Sequence, residues 1–549
     1  MTALPRRCAV LIVGAGPTGL VLAIRLRQLG IDCLLIDKQP TPLPWSRALG
    51  LHARTLEILE ALDVLSAVRK RSVQLKAMHI HNERGPLFDL DMTGLDAPFP
   101  WVLCVPQTDV EQCLSDQYEA LGGHIERGVE LVEFSQGGHA VGASLKVGDE
   151  IVPIEAQLLV GCDGADSFVR QALGLSFDGV EHKDHFLLAD VELDWSLDKT
   201  SAHAFLLPEG ALLALPLPVG WRLVLNLPPE DDQNNDEPLT AEPFAQRLEA
   251  IFQQTPTLSD PAWLSRFSIQ RRLAGRYRVN RVLLAGDACH IQSPVGAQGM
   301  NTGIADAFNL AWKVGLFVQG VGGGKLLDSY ETERRPVAKA MLNGVDMVSR
   351  YSFSRNFLIR GARDSVMKLI AKQPRVASRL LRRMSQLDVN YRDSSIVDSG
   401  SALFAPLGTE GPKPGDRMPD ALLKDVSSGE SLRLQDFLRD PRHQLFIQLS
   451  ADLDHQEIVA AFALADRVPS EFADRVRTVV IVADALPDAL RQLSEFEVNI
   501  LDDDNGGFAH RYGPAGLWLM RPDGHLGYRA PISDSDQLLL YLRELLSKR

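Results

Sequence analysis

Residues 8–40 read "CAVLIVGAGPTGLVLAIRLRQLGIDCLLIDKQP", and few arrangements besides a strand–turn–helix–strand unit accommodate them. Cys8 to Val13 is a continuous apolar run, as a strand buried on both faces requires. Leu20 to Leu29 reads as a helix closed by Gly30, and Ile31 to Ile36 as a second strand ending on Asp37. Between them lies Gly14-x-Gly16-x-x-Gly19. Gly14 permits a tight turn, Gly16 lets backbone approach a pyrophosphate, and Gly19 lets helix pack closely on strand. Pro17 and Thr18 open the helix, whose free N–H groups and positive dipole end suit phosphate. Asp37, beside Lys38, can accept hydrogen bonds from an adenosine ribose. A glycine-rich turn alone carries little weight. In this order the parts predict a site for an ADP-containing cofactor, without separating NAD from FAD.

Two later strands also end on an aspartate turn. "LLVGCDGADSFVRQALG" (158–174) runs into Asp163-Gly164 and then a helix. "VLLAGDACHIQSPVGAQGMNTGIADAFNLAWK" (282–313) stops at Gly286-Asp287, passes through a Gly/Pro-rich loop, and becomes helical near Asn301. Ile304, Ala307, Phe308, Ala311 and Val314 share one face of that helix. Between the two turns, "DHFLLADVELDW", "HAFLLPEGALLALPLP" and "WRLVLNL" predict a mostly antiparallel sheet over 181–275. Residues 340–392 read as helical. The Gly/Pro/Ser-rich stretch 399–420 reads as a linker, and the tail as β-α-β-α-β-β with a final helix and a hairpin turn at Pro522-Asp523-Gly524.

A chain of 549 residues exceeds one ordinary core, so two or three domains are expected. Its net charge of -14 argues against nucleic acid and anionic membrane as main partners. The six cysteines form no CxxC and none lies beyond Cys289, which fits neither a disulfide framework nor a zinc site and suits a reducing cytoplasm. The apolar start is broken by glycines and a proline, unlike a signal peptide, and no stretch is apolar enough to span a bilayer. "HIH" (79–81), "HKDH" (182–185) and "DACH" (287–290) lack a third ligand at metal spacing and read as packed or solvated histidines. "GVGGGK" (320–325) lacks the Walker spacing and reads as a loop.

"GAGPTG", "SRALGLHARTLEIL" (46–59), "VPQTDVEQCL" (105–114), "GCDGADSFVR" (161–170) and "GDACHIQSPVGAQGMNTGIADAFNLAWK" occur in that order. This set resembles the class A flavoprotein aromatic hydroxylases over roughly residues 8–345. These are single-component FAD-dependent monooxygenases, such as the phenol, 3-(3-hydroxyphenyl)propionate and polyketide hydroxylases. The resemblance implies an α/β (plus α+β) fold. A Rossmann-like FAD-binding domain would span 1–180, with an insert near 75–105, and resume over 276–345. A mostly antiparallel substrate sheet would occupy 181–275, helices of the same domain 346–398, a linker 399–420, and a thioredoxin-like domain 421–549. Without cysteine, that last domain has no dithiol chemistry and is left a structural or oligomerising role.

The resemblance also implies roles. Gly14, Gly16, Pro17, Thr18 and Gly19 would hold the FAD pyrophosphate, and Asp37 with Lys38 the adenosine end. Arg47 would lie near the flavin, Gln107 would bind FAD, and Val129 would touch the adenine region by backbone. Asp163 would serve FAD and the nicotinamide cofactor, while Gly286 and Asp287 would meet the ribityl chain. Pro294 would wall the flavin ring and the substrate, and the N–H groups of Gly299, Met300 and Asn301 would stabilise charge on the reduced ring. Phe205, Leu213, Leu215 and Pro216 are the substrate-pocket candidates, with plain sheet packing the alternative for each. Where the family carries a basic residue after Asp-Gly-Ala, this chain has Asp166.

The implied reaction uses NAD(P)H and dioxygen to hydroxylate a phenolic or polycyclic aromatic substrate through a flavin C4a-hydroperoxide. A homodimer is compatible with it. A halogenase on the same fold would carry WxWxI, and no WxW occurs among the seven tryptophans. A flavoprotein scaffold without turnover, or a plain NAD dehydrogenase, would be separated by cofactor turnover and by flavin colour.

Overall fold

The structure is a computed structural model. It describes residues 4–44, 48–208, 210–227, 239–252, 257–259, 261–293, 296–352, 354, 356–398, 411–450, 453–472, 474–482, 499–513 and 515–548. At 182–184, 269, 346 and 348–350 only the backbone is described.

The first sheet grows from the apolar strand Arg7–Val13, which is buried from Val10 onward. It pairs in parallel with Cys33–Asp37 on one side and Glu150–Gly161 on the other, and Val282–Leu284 adds next in parallel. Val13 lies opposite Ile36 and Gly161, and Gly161 opposite Leu284. The glycine loop, Asp37, Asp163 and the Gly286-Asp287 turn therefore leave the same sheet edge, the carboxyl end where open α/β sheets bind ligands. The helix Pro17–Gln28 starts three residues before the predicted Leu20, because a proline at the first position needs no N–H partner.

The second sheet has eight strands. Phe177–Val191, Ser201–Leu207, Gly210–Pro216, Trp221–Leu227 and Trp263–Ala274 form its antiparallel body. The insert near 75–105 is not confined to the first unit. Its strands Ala77–Asn82 and Gly85–Asp91 complete this sheet, the former pairing in parallel with Ser201–Leu207. His290–Ile291 joins the opposite edge, so the two sheets are stitched together just after the Asp287 turn.

The tail holds a seven-stranded sheet that includes His443–Leu449, Val476–Val482, Asn499–Asp502, Gly516–Met520 and Leu526–Ala530, and it ends in the helix Ser535–Leu546. Between Val476–Val482 and Gly516–Met520, where a single helix is expected, the described residues hold the added strand Asn499–Asp502 and the short helix Gly507–Tyr512, and 483–498 lie outside the described residues. Residues 411–420, read above as linker, are fastened down: Met418 is fully buried and Arg417 pairs with buried Glu57. The Pro522-Asp523-Gly524 hairpin turn reaches into the FAD-binding unit. Arg521 donates to both oxygens of Glu333 at 2.8 Å, Asn309 Nδ2 donates to Asp523 Oδ2 at 2.8 Å, and Lys313 Nζ meets Glu333 Oε2 at 2.6 Å. Arg25 Nη2 donates to the Leu438 carbonyl at 2.8 Å and the Pro522 carbonyl at 3.1 Å. All of these side chains are buried.

Candidate functional site

The three loop glycines divide their work. A Cβ on Gly14, whose φ is +104°, would lie 2.3 Å from the Cys162 carbonyl oxygen, and one on Gly19 would lie 2.0 Å from the Gly14 oxygen. Both positions are filled by protein backbone. A Cβ on Gly16 would meet nothing within 4 Å. Gly16 also caps the Pro17–Gln28 helix without any side-chain bond to the first-turn N–H groups. An open approach to bare helix donors is the form of a phosphate site. Thr18 turns its hydroxyl inward instead, against Gly286 and Gly303, where added Cβ atoms would each come within 2.5 Å of Thr18 Oγ1.

Asp37 accepts from Ala15 N at 2.9 Å and Gln39 N at 2.8 Å, so it ties the strand end to the glycine loop and keeps further lone pairs for a ligand. Lys38 is exposed beside it. The Val129 side chain is buried in the core, so only its backbone can face a ligand; Gly128 N donates to the Gln39 carbonyl at 3.2 Å. Gln107 begins the helix Gln107–Ala120 and donates to Glu111 at 2.8 Å. Burial raises the Glu111 carboxyl, and Asp37 adds to the shift.

Asp163 accepts from Val169 N at 3.1 Å through Oδ2, while Oδ1 is buried without a partner. Burial pushes this carboxyl up. A buried carboxylate oxygen at a strand end with no partner in the chain can accept from a hydroxyl or amide donor. Gly164 beside it has φ +80° and open space at its Cβ position. Asp287 is exposed between buried Gly286 and Ala288. The turn is braced from below: Asp306 Oδ2 accepts from Gly286 N at 3.3 Å and from His290 Nε2 at 2.6 Å, and its Oδ1 accepts from Arg334 Nε at 2.6 Å. Burial pushes Asp306 up, but Arg334 and His290 outweigh it and hold the carboxyl down.

The helix Gln298–Val318 starts on left-handed Ala297, φ +53°. Gly299 has open space where a Cβ would stand. The Asn301 side chain is taken up by the chain itself. Nδ2 donates to the Gly50 carbonyl at 2.8 Å, and Oδ1 accepts from His52 N at 2.9 Å, so only its N–H is left for a ligand. The start of the helix is held by residues the sequence did not single out. His52 donates from Nε2 to the Gly296 carbonyl at 2.8 Å, and burial lowers its pKa, keeping the ring neutral. Gln298 donates to the Met384 carbonyl and accepts from Gln386, both at 2.9 Å. Gln292, two residues before Pro294, has both amide atoms buried and unpartnered. Met300 is half-buried; Arg47 and Pro294 lie outside the described residues.

Residues 7–345 match the family described as FAD binding domain. An aromatic compound monooxygenase of Bacillus subtilis, YhjG, uncharacterised by its name, is 33% identical over 86% of this chain and 92% of its own. The chain belongs to the class A FAD-dependent aromatic hydroxylases. Pentachlorophenol 4-monooxygenase of Sphingobium chlorophenolicum is 29% identical over 98% of this chain and 96% of its own. Aklavinone-11 hydroxylase, solved with FAD and aklavinone, superposes with a TM-score of 0.77 at 25% identity, covering 99% of this chain and 100% of that one. The hydroxylase is an FAD-dependent monooxygenase, and no described helix is long and apolar enough to cross a membrane.

On the substrate side, strand alternation corrects one expectation. Phe205 lies opposite Leu212, and Pro216 opposite Trp221. Phe205 therefore belongs to the face packed with Leu212, Trp221, Phe244 and Leu248, under the helix Glu242–Ile251. It also stacks on His81, with ring centroids 4.8 Å apart, and His81 stacks on His203, which accounts for the "HIH" histidines as packed groups. Leu213 and Leu215 point from the other face and are half-buried. The four candidates cannot line one pocket. Leu215 shares its face with Met78 and Ile80, and with Met367, Ile370 and Met384 from the helices opposite.

Proposed function

We propose that this hydroxylase places oxygen from dioxygen on a phenolic or polycyclic aromatic ring, with NAD(P)H as reductant. The observation that carries the reading is convergence. One sheet edge presents open Gly16, the unpaired Asp163 oxygen, exposed Asp287 and the open helix start at Gly299. These groups fit FAD: N–H donors for the pyrophosphate at Gly16, Thr18 and Gly19, an acceptor for a ribose at Asp37, and an acceptor for the ribityl hydroxyls at Asp287. Bound FAD supplies the electron transfer and oxygen activation. The chain positions the ring and keeps water out. N–H groups of Gly299, Met300 and Asn301 would meet negative charge on the bound ring, while His52 and Asn301 fix the helix that carries them. The half-buried wall of Met78, Ile80, Leu215, Met367, Ile370 and Met384 is apolar and rich in thioethers, which adapt to large flat ligands. The relatives that act on pentachlorophenol and aklavinone support this class of substrate.

The test is oxidation of NADH and of NADPH by the purified flavoprotein, screened against phenols and fused-ring phenols of graded size. Substrate-stimulated oxidation with labelled oxygen in the product is expected. Turnover of the nicotinamide that no aromatic compound stimulates, with no label incorporated, would refute the reading.

A further inference from the structure

The helices Phe357–Ala371 and Pro374–Met384 have two unlike faces. Inward, Met367, Ile370, Leu381 and Met384 pack on the apolar wall. Outward, Leu358 is 66% exposed, Leu369 61%, Val366 55% and Val376 43%, and Phe357 at the end of the pair is 72% exposed. Cations lie among these apolar residues. Residues 357–384 hold eight Lys and Arg against the single acid Asp364, in a chain of net charge -14. Arg360, Arg363 and Arg382 are paired, with Glu83, Asp364 and Asp388. Lys368, Lys372, Arg375, Arg379 and Arg383 are exposed. No ion pair among the described residues involves these five.

We propose that this helical pair docks on an anionic lipid surface. The apolar side chains enter the boundary between headgroups and acyl chains, and the five free cations meet the lipid phosphates. Interleaved apolar and basic residues on an exposed helix suit that boundary, which offers hydrocarbon and negative charge within a few ångströms. The acidic surface of a second copy would answer the cations but leave five large apolar side chains against carboxylates. The acidity of the whole chain does not oppose docking, because this segment is locally basic, with eight cations to one acid. The same two helices wall the apolar side of the site, so an aromatic compound dissolved in the bilayer would meet the helices that border its destination.

Flotation of the FAD-loaded protein with phosphatidylglycerol/phosphatidylcholine vesicles tests this. Binding is expected with the mixed vesicles, not with phosphatidylcholine alone, and half-molar salt should release it. The variant Lys372→Gln/Arg375→Gln/Arg379→Gln should bind on the order of a hundredfold more weakly, from about fivefold per cation. Leu358→Ser/Leu369→Ser should bind more weakly at every salt concentration. Both variants should keep the parent's flavin content and melting temperature, because the changed side chains face outward. Absence of binding to the mixed vesicles, or equal binding by the variants, overturns the proposal. So does a dimer, seen by sedimentation, that these variants dissociate in a protein that ignores vesicles; the surface is then a contact between copies.

Discussion

The seam between the tail and the FAD-binding unit and the cofactor cradle are both built from carboxylates and cations, yet they are finished differently. In the seam, Glu333 receives Arg521, Lys313 and Ser394, and Asp523 receives Arg521 and Asn309. Every charge there meets its partner within the chain. In the cradle, Asp163 Oδ1 has no partner, Asp287 faces out, and the space at Gly16 and Gly299 is open. Buried polar groups that the chain satisfies mark where it meets itself; those it leaves open mark where a ligand completes it.

The largest effect should come from breaking the seam. Glu333→Ala strands the buried cation Lys313 and leaves Arg521 with Asp523 alone, and should cost about 3–5 kcal/mol in denaturant unfolding. A loss within the range of an exposed glutamate would mean the seam carries no stability. Acid probes the same contact. Burial pushes Glu333 and Asp523 up, but Arg521 and its neighbours outweigh this and hold both below the usual carboxylate range, Glu333 at about 2. A depressed folded pKa gives stability that is complete above about 4.5 and lost as pH falls toward about 2. Thermal midpoints followed across that window should drop, and the drop should shrink in Glu333→Ala.

In the cradle the expected losses fall on the ligand. Asp287→Ala, and separately Asp163→Asn, should weaken FAD by roughly 10–150-fold, the loss of about 1.5–3 kcal/mol for a charged hydrogen bond. The unfolding of the FAD-free protein should scarcely move. Equilibrium dialysis of flavin against each variant decides it, and unchanged retention removes that residue from the site.

The glycine loop sharpens the contrast within a few residues. Gly19→Ala drives a Cβ into the Gly14 carbonyl and should destabilise the FAD-free fold by about 1–3 kcal/mol. Gly16→Ala should leave that fold untouched and still impair FAD binding. If both variants lose stability alike, Gly16 is a packing glycine and the phosphate assignment fails.

The strand–helix–strand start was legible because its signals are local: an apolar run, spaced glycines, and an acid at a strand end. The two later aspartate turns were legible for the same reason. The face on which Phe205 lies was not, because cross-strand register decides it and register is not written within one strand. The seam was invisible as well. Glu333 and Arg521 stand 188 residues apart, and "RPDGH" reads only as a hairpin turn. Composition misread 411–420, whose glycines and prolines serve a close fit against the Leu526–Ala530 strand, with Gly415 N donating to the Leu526 carbonyl at 2.7 Å. His52, Gln298 and Gln386 gave no signal because they hold backbone and one another.

Arg25 donates to the carbonyl of Pro522, 497 residues downstream. At the usual pace of synthesis, about 5–20 residues per second, the guanidinium leaves the ribosome roughly 25–100 s before that partner exists. For that interval a cation destined for full burial, in the helix packed on the first sheet, lacks the Pro522 carbonyl and has Gln28 of its own helix as its nearby partner. The opening unit of this enzyme is thus written first and closed last. Nascent chains stalled before Arg521 should remain open to protease across residues 7–345, while released full-length chains resist.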